Sequence, residues 1–390
     1  MTWNIKKINH SCSDCGLERK KVTEKSTRNV TSDVIRGFAI ITVIIGHCIQ
    51  QGNGLEYYTN SLYWSNKLYQ FIYSFHMPLF MILAGWFAYY SLSKAEGNRR
   101  AQGKLLGSRI VRYVLPIFVW TIFEYVRGYV LNVKLGNETA HFPEIVPMFL
   151  KTFITNLWFL WAVLICFIIV YIMHFYLKDN IWVYLVLFLL MFVITDEYNI
   201  GVYKYMAPYY ICSFYVNMNK EKLLASKCGK KCSDMYKSKG WLFVIISAVV
   251  FFGLFLFYRE RAFIYLSGYK LSRETWLSQS VVDMYRMIIG FAGSIFFILF
   301  FDRAVSLTGR YKWPILSIFG RNSLGIYILQ GYYILMVMVQ FTNDMSPSLW
   351  HVLIESVIIA VASLLTAILL DMIPVVRSVV GRPFIKKKKN

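Results

Sequence analysis

The strongest constraint on this chain is a succession of apolar stretches, each about as long as a bilayer is thick. A helix needs about 20 mostly apolar residues to cross the hydrocarbon core of a membrane. The 390-residue chain is 57% hydrophobic and only 16% charged, whereas soluble domains carry about 25% charged residues. The sequence therefore predicts an all-α, polytopic integral membrane protein whose first partner is the lipid bilayer.

Ten stretches have spanning length or come close to it. They lie at 36–52, 67–93, 110–132, 157–177, 181–196, 200–217, 240–258, 281–301, 320–341 and 350–373. Asp196, Glu197 and Pro208 interrupt the short fifth and sixth stretches, which leaves the number of spans open by one.

Positive charge predicts how the helices are oriented. Most of the 42 Lys and Arg residues fall in alternate connections between the apolar stretches. By the positive-inside bias, both termini are then cytoplasmic, as expected of a multi-pass plasma (inner) membrane protein with ten spans. The net charge of +21 does not indicate nucleic-acid binding, because the cations stand in short blocks rather than along one soluble face. The four lysines at 386–389 are best explained as an orientation signal near anionic lipid.

The chain is expected to consist of one membrane domain flanked by two tails. Residues 1–32 form a polar cytoplasmic tail that lacks the apolar core and cleavage site of a signal peptide. The transmembrane domain covers 33–375, and 376–390 form a basic cytoplasmic tail.

Four cysteines lie in segments predicted to be cytoplasmic: Cys12 and Cys15 in the tail, and Cys228 and Cys232 after the sixth span. A reducing compartment argues against disulfides. The four thiolates could form a zinc site that links the N-terminal tail to the loop after the sixth span. Free thiols are the simpler interpretation, and no metal is assigned.

The first apolar stretch contains the most informative charged residues. Arg36 and His47 are eleven positions apart, so on a helix they share one face and are separated by ~16 Å along the axis. Asp33 stands three residues before Arg36, where it can hold the guanidinium. Ionisable groups inside a span cost about 2.5 kcal/mol or more, so each is a functional hypothesis. An imidazole there is suited to act as a general base, although a histidine bonded to a backbone carbonyl is the structural alternative.

Several motifs then converge on one family. DVIRGFAIITVIIGH at 33–47 and FHMPLFMILAGWF at 75–87 resemble the acyltransferase-3 family, whose first helix carries Arg or Lys, ten residues and then His. RIVRYVLP, LWFLWAVL at 157–164 and GRNSLGIYILQ at 320–330 resemble further family elements in the same order. The resemblance runs from about 31 to 373, and the last two elements resemble the sugar O-acetylase branch.

The resemblance implies an acyl-CoA donor, with acetyl-CoA the expected species, bound from the cytoplasmic side. Guanidinium groups near that face suit the phosphates of coenzyme A, which makes Arg109, Arg112 and Arg321 the predicted donor contacts. His47 would act as general base or transient acyl carrier, and Arg36, held by Asp33, would be its electrostatic partner. The expected acceptor is a hydroxyl of a cell-surface glycan or a lipid-linked saccharide.

Two positions depart from the family pattern. Ala84 stands where a serine is common, and Gln330 stands where a histidine is common. Neither departure is expected to touch Arg36 or His47. Both point to an altered donor or acceptor preference, and lost activity is the alternative.

Four further residues are predicted to contact the acceptor. His76 precedes Pro78, which is expected to break the second span and turn an imidazole into a cavity. Asp283 and Arg286 lie near the predicted outer mouth, although their i, i+3 spacing also fits simple mutual neutralisation. Trp158 lies near the outer boundary, where its ring can anchor a helix or stack on a sugar.

Two alternative functions would use the same buried charges without catalysing a reaction. A transporter or flippase of glycan precursors would show paired repeats with broken helices, and the two halves show no convincing repeat. A non-catalytic partner of a polysaccharide synthase would tolerate the changes at Ala84 and Gln330.

Overall fold

The computed structural model describes residues 29–52, 58–134, 142–193, 200–266, 274–309, 312–334 and 348–383, and these ranges contain α-helix, short 3-10 helix and turns but no strand. The first helices are α1 (Val30–Gly52), α2 (Lys67–Tyr73), α3 (His76–Ser93), α4 (Arg99–Lys134), α5 (Phe142–Thr155), α6 (Trp158–Phe175) and α7 (Ile181–Val193). They are followed by α8 (Ile200–Met218), α9 (Lys220–Ala225), α10 (Lys227–Phe255), α11 (Trp276–Thr308), α12 (Pro314–Tyr333) and α13 (Leu349–Met372).

Seven segments are long and apolar enough to cross a membrane, which confirms an all-α polytopic membrane protein. They are Val30–Gln51, Lys67–Ser93, Arg99–Lys134, Trp158–Tyr176, Lys227–Phe255, Trp276–Thr308 and Leu349–Met372. Helices α8 and α12 have 19 and 20 residues and contribute many buried side chains to the interior. The total of ten spans and the cytoplasmic termini stay predictions.

Helix bounds differ from the predicted ones where polar residues extend a helix. Helix α4 begins at Arg99 rather than near 110, because its first turns, RRAQGKLL, are charged yet favour helix. Helix α12 begins at Pro314, whose fixed φ suits the first turn of a helix. Helix α5, which lies before Trp158, was not predicted from the sequence.

The predicted break in the second span is confirmed. Helix α2 ends at Tyr73, Ser74 and Phe75 form a turn, and α3 begins at His76. Pro78 lies in the first turn of α3, where its missing N–H removes no helical hydrogen bond. The break places His76 at a helix end inside the bundle, where it is buried.

Helices α1 and α12 touch backbone to backbone, because glycine stands at the contact on both. A Cβ on Gly37 would lie 1.9 Å from the carbonyl oxygen of Leu316, and a Cβ on Gly320 would lie 1.7 Å from that of Asp33. Any larger residue would push the helices apart. This close approach brings the Arg36 face of α1 against the GRNSLGIYILQ segment.

The segment after α13 folds back onto the bundle instead of leaving it. It forms a short 3-10 helix at Arg377–Val380, and Nε1 of Trp120 donates to the carbonyl oxygen of Val379 at 2.9 Å. Residues 376–383, assigned above to the basic tail, therefore pack against the membrane domain. Residues 1–28 and 384–390 lie outside the described ranges.

The zinc alternative is not tested by the structure. Cys228 and Cys232 are exposed on α10, while Cys12 and Cys15 lie outside the described residues. Within the described ranges, no group of three or more His, Cys, Asp or Glu side chains is placed to hold a metal ion.

Candidate active site

A cavity of about 500 Å³ opens at the end of the bundle where α1 begins. Six cationic side chains and, among the described residues, no carboxylate line this basic cavity; the cations are Arg36, Lys94, Arg109, Arg112, Arg321 and Arg382. Its deeper wall is apolar and includes Phe80, Ala84 and Phe159. The family departure at Ala84 thus falls in the cavity wall, which makes the wall less polar than a serine would.

Asp33 organises two of these cations from behind the wall. Its buried carboxylate lies 3.9 Å from Nη1 of Arg36 and 3.6 Å from Nε of Arg321. The guanidinium of Arg36 also lies over the ring of Phe87, 4.8 Å from its centroid. The predicted Asp33–Arg36 pair is confirmed, and it places Arg36 at the mouth of the cavity.

The RxxR pair at the start of the third predicted span lies on the opposite wall. Nη2 of Arg109 donates to Oγ of Ser91 at 2.8 Å, and its guanidinium lies 5.3 Å from the ring centre of Phe167. Nε of Arg112 is buried and has no hydrogen-bond partner among the described residues. The structure therefore brings all three predicted donor contacts, Arg109, Arg112 and Arg321, into one cavity.

His47 lies deeper in the bundle and is oriented by α12. Its Nδ1 is 2.9 Å from Oε1 of Gln330, and Gln330 is buried. Because an amide oxygen only accepts hydrogen bonds, Nδ1–H donates, and the neutral ring keeps its lone pair on Nε2. The expectation that neither family departure touches the Arg36–His47 pair is wrong, since Gln330 directly contacts His47.

His76 is a second imidazole beside this centre. Its Nδ1–H donates to the carbonyl oxygen of Ile72 at 2.7 Å, and its ring meets that of Tyr73 edge-on at 4.7 Å. Tyr73 also packs on α1, because a Cβ on Gly46 would lie 2.9 Å from its ring.

Aromatic rings close the bundle on the side of the centre away from the basic cavity. Neighbouring rings have centroids 3.9 to 6.4 Å apart in this aromatic end, which comprises Trp64, Tyr69, Tyr73, Trp158, Phe263 and Tyr265. Burial raises the pKa of the adjacent Tyr258 phenol well above its ordinary value, so that group stays protonated. Trp158, predicted to contact the acceptor, belongs to this cluster.

Asp283 and Arg286 form a fully buried pair. Nη1 of Arg286 lies 3.0 Å from Oδ1 of Asp283, and its Nε donates to the carbonyl oxygen of Ala262 at 3.0 Å. Gln279 also donates to Asp283, at 2.8 Å. These contacts tie α11 to the 3-10 turn at Glu260–Ala262, a geometry that favours the structural alternative over direct acceptor contact.

Three packed rings, which we call the dividing rings, come from α3, α6 and α12, and two of them line the basic cavity, whereas His47 does not. These dividing rings are Phe80, Phe159 and Tyr327, with centroids 5.8 Å apart for Phe80 and Phe159 and 5.6 Å for Phe159 and Tyr327. Phe80 lies one helical turn from His76, and Tyr327 lies one turn from Gln330. Two of the dividing rings are thus one helical turn from residues of the histidine centre.

Sequence reasoning missed Lys94 and Arg382 as cavity residues and set Gln330 aside. Lys94 caps α3, and its position in a cationic block of the sequence could have indicated that it lines the cavity. The position of Arg382 depends on the fold of the segment after α13, for which the sequence offered no pattern.

A polytopic bundle that carries a cationic cavity and a half-buried imidazole on its first helix fits a membrane protein that performs group transfer. Residues 29–372 match the acyltransferase domain family known as acyltransferase-3, and the chain belongs to that family. It is a membrane acyltransferase.

Two curated relatives carry the same name. The chain is 24% identical over 367 residues, covering 92% of the chain and 91% of the relative, to Nodulation protein NolL of Mesorhizobium japonicum. It is 29% identical over 145 residues, covering 37% of the chain and 36% of the relative, to Nodulation protein NolL of Sinorhizobium fredii. No solved structure matches the chain significantly.

Proposed function

We propose that this acyltransferase moves an acetyl group from acetyl-CoA to a hydroxyl of a cell-surface glycan or lipid-linked saccharide. The observation that carries the proposal is the basic cavity, which is lined by six cations and, within the described ranges, by no carboxylate. Such a cavity attracts a polyanion, and acetyl-CoA combines a diphosphate and a 3′-phosphate with a reactive thioester at its far end.

The donor half of the proposal assigns the phosphates to the arginines. Guanidinium forks bind phosphate oxygens in pairs and stay charged at every relevant pH. Arg109, Arg112 and Arg321 hold the phosphates at the mouth, so the thioester points towards the dividing rings. Arg36 is ~16 Å from His47 along α1, which assigns it to donor binding rather than to direct contact with the reacting atoms.

His47 supplies the chemistry of the transfer. Nε2 of the neutral ring accepts the proton of the acceptor hydroxyl while the hydroxyl oxygen attacks the carbonyl carbon of the thioester. Collapse of the tetrahedral intermediate breaks the carbon–sulfur bond, and the departing thiolate takes the proton from His47 to give free coenzyme A. Gln330 fixes the tautomer that this step needs. A covalent acyl-His47 intermediate is the second route compatible with the same ring position.

The acceptor half of the proposal uses the aromatic end. Sugar rings stack on flat aromatic side chains, and Trp158 and Tyr265 lie at this end of the bundle. The ring of His76 meets that of Tyr73, which belongs to the same end. If the basic cavity faces the cytoplasm, as the positive-inside bias predicts, the acceptor arrives from the opposite side.

The test is acetyl transfer by the full-length protein in membranes. Radiolabelled acetyl-CoA is supplied to the cytoplasmic face, and label is followed into isolated envelope glycans and lipid-linked sugars. We expect transfer by the unaltered protein and a loss of about 10³-fold in His47→Ala, within the range that a general base contributes. His351→Ala is the matched control, because that imidazole pairs with Glu355 on α13 instead of lining the site.

Two results would contradict the proposal. Undiminished transfer by His47→Ala removes the assigned base. Movement of a glycan precursor across the membrane by the unaltered protein, with no label transferred, would favour the flippase alternative.

A further inference from the structure

Part of the basic cavity is built by residues beyond the acyltransferase domain. The family match ends at residue 372, yet the cavity lining includes Val380, Gly381 and Arg382. We call residues 373–383 the C-terminal strap. It crosses the cavity mouth between α4, which it meets through Trp120, and α12.

The strap holds a fixed conformation at this point. Gly381 has a φ of 73°, in the left-handed region that favours glycine. A Cβ there would also lie 2.2 Å from Cδ2 of Leu324. The next side chain, Arg382, is consequently directed towards α12 and the cavity wall.

Three partners hold the guanidinium of Arg382 in place. Nη2 donates to the carbonyl oxygen of Arg321 at 3.0 Å and to Oδ1 of Asn322 at 2.8 Å, and Nε lies 3.5 Å from Oδ2 of Asp371. A long side chain that is already ordered loses less conformational entropy when a ligand binds. Arg382 also lies beside the backbone of Arg321, which is itself a cavity cation.

The strap provides its own comparison residue. Arg377 contacts the same carboxylate, with Nη2 3.0 Å from Oδ1 of Asp371, but Arg377 is not among the cavity-lining residues. The two arginines therefore share a structural partner and differ in their access to the cavity.

We propose that Arg382 is a donor-binding residue that contacts a phosphate of the acyl-CoA, and that the C-terminal strap forms one wall of the donor site. This assignment rests on the proposed function, because it takes coenzyme A as the ligand. It adds a residue outside the family domain to the site, and it assigns binding rather than orientation in the membrane to this part of the basic C-terminus.

The test measures binding of coenzyme A by the full-length protein in lipid nanodiscs, with titration calorimetry, for the unaltered protein, Arg382→Gln and Arg377→Gln. Loss of one charged hydrogen bond should weaken coenzyme A binding at least about tenfold in Arg382→Gln. Arg377→Gln should stay within about twofold. Pantetheine, which lacks the phosphates, should stabilise both variants against thermal unfolding as much as it stabilises the unaltered protein.

A third variant separates contact from folding. Arg382→Lys keeps the charge but loses the fork that bonds Arg321 and Asn322, so its affinity should fall between those of the unaltered protein and Arg382→Gln. Equal weakening of coenzyme A binding by Arg382→Gln and Arg377→Gln would overturn the assignment, as would an equal loss of pantetheine binding in Arg382→Gln. Absence of coenzyme A binding by the unaltered protein would overturn the proposed donor and this assignment together.

Discussion

The basic cavity and the histidine centre lie on the same first helix and have opposite character. The cavity carries six cations at an open mouth, whereas His47 is hydrogen-bonded to a buried amide among aromatic rings. Arg36 and His47 are ~16 Å apart along α1. Under the proposed function, this difference corresponds to a division of labour, in which the charged cavity holds the donor at one end of α1 and the less charged surroundings of His47 host the transfer at the other.

The sharpest test of this division removes the charge at the mouth. In the double variant Arg109→Gln, Arg112→Gln, we expect KM for acetyl-CoA to rise by about 100-fold, since each lost phosphate contact costs roughly 1.5 kcal/mol or more. The kcat at saturating donor should change by less than about threefold. Steady-state kinetics with labelled acetyl-CoA measures both constants.

Exposed cations provide the control for that variant. Lys230→Gln, Lys231→Gln removes the same amount of charge from α10, where neither residue lines the basic cavity. A similar rise in KM in this control would show that the rise in the arginine variant comes from general electrostatic attraction. In the arginine double variant, a fall in kcat without a rise in KM would contradict the division of labour between the two regions.

The centre is tested through the hydrogen bond to His47. Gln330→Leu removes the acceptor for Nδ1–H, so the ring can adopt the other tautomer, and kcat should fall by about 10- to 100-fold while KM for the donor stays the same. The pH dependence of kcat should change as well. A purely structural role would instead lower protein stability without altering the pH profile of the folded enzyme.

A conservative variant distinguishes these roles. Gln330→His installs the residue common in the family and keeps a group able to accept from Nδ1–H. We expect it to retain kcat within about fivefold, because the interaction is worth about 1 kcal/mol when preserved. Equal loss in the Leu and His variants would contradict the orienting role of Gln330.

The two regions also differ in how far sequence could predict them. Arg36, His47 and the break before His76 were predicted, because helical spacing and the chemistry of proline are local properties. The contact between Gln330 and His47 depends on which faces of α1 and α12 meet. The close approach at Gly37 and Gly320 sets those faces, and it exists only in the packed bundle.

Burial was the second property that sequence left open. Asp283 and Arg286 have the spacing of a surface pair, yet they are buried together and tied to the backbone of Ala262. Arg382 reached the cavity through contacts with Asp371 and Arg321, which join segments whose proximity no periodicity encodes. Local patterns thus predicted the helices, and tertiary contacts completed the basic cavity.

The boundary between the regions should limit the size of the acyl group. Shortening a dividing ring in Phe80→Ala enlarges the deep end of the cavity, so the ratio of kcat/KM for butyryl-CoA to that for acetyl-CoA should rise by about tenfold, as expected when a pocket admits extra methylenes. Competition between the two donors in one reaction measures the ratio directly. Since both donors meet the same folded fraction, lost stability cancels, and an unchanged ratio would show that Phe80 does not limit acyl length.

The smallest effect is expected at the aromatic end. Trp158→Ala removes a ring that faces Tyr265, so KM for a sugar acceptor should rise by about three- to tenfold, in line with 0.5 to 1.5 kcal/mol for an aromatic contact. Donor affinity should be unchanged, because Trp158 does not line the basic cavity. Trp158→Phe keeps a ring and should recover most of the acceptor affinity. A rise in KM for acetyl-CoA instead would mean that the two ends are coupled through the dividing rings, since Phe159, the next residue, is one of them.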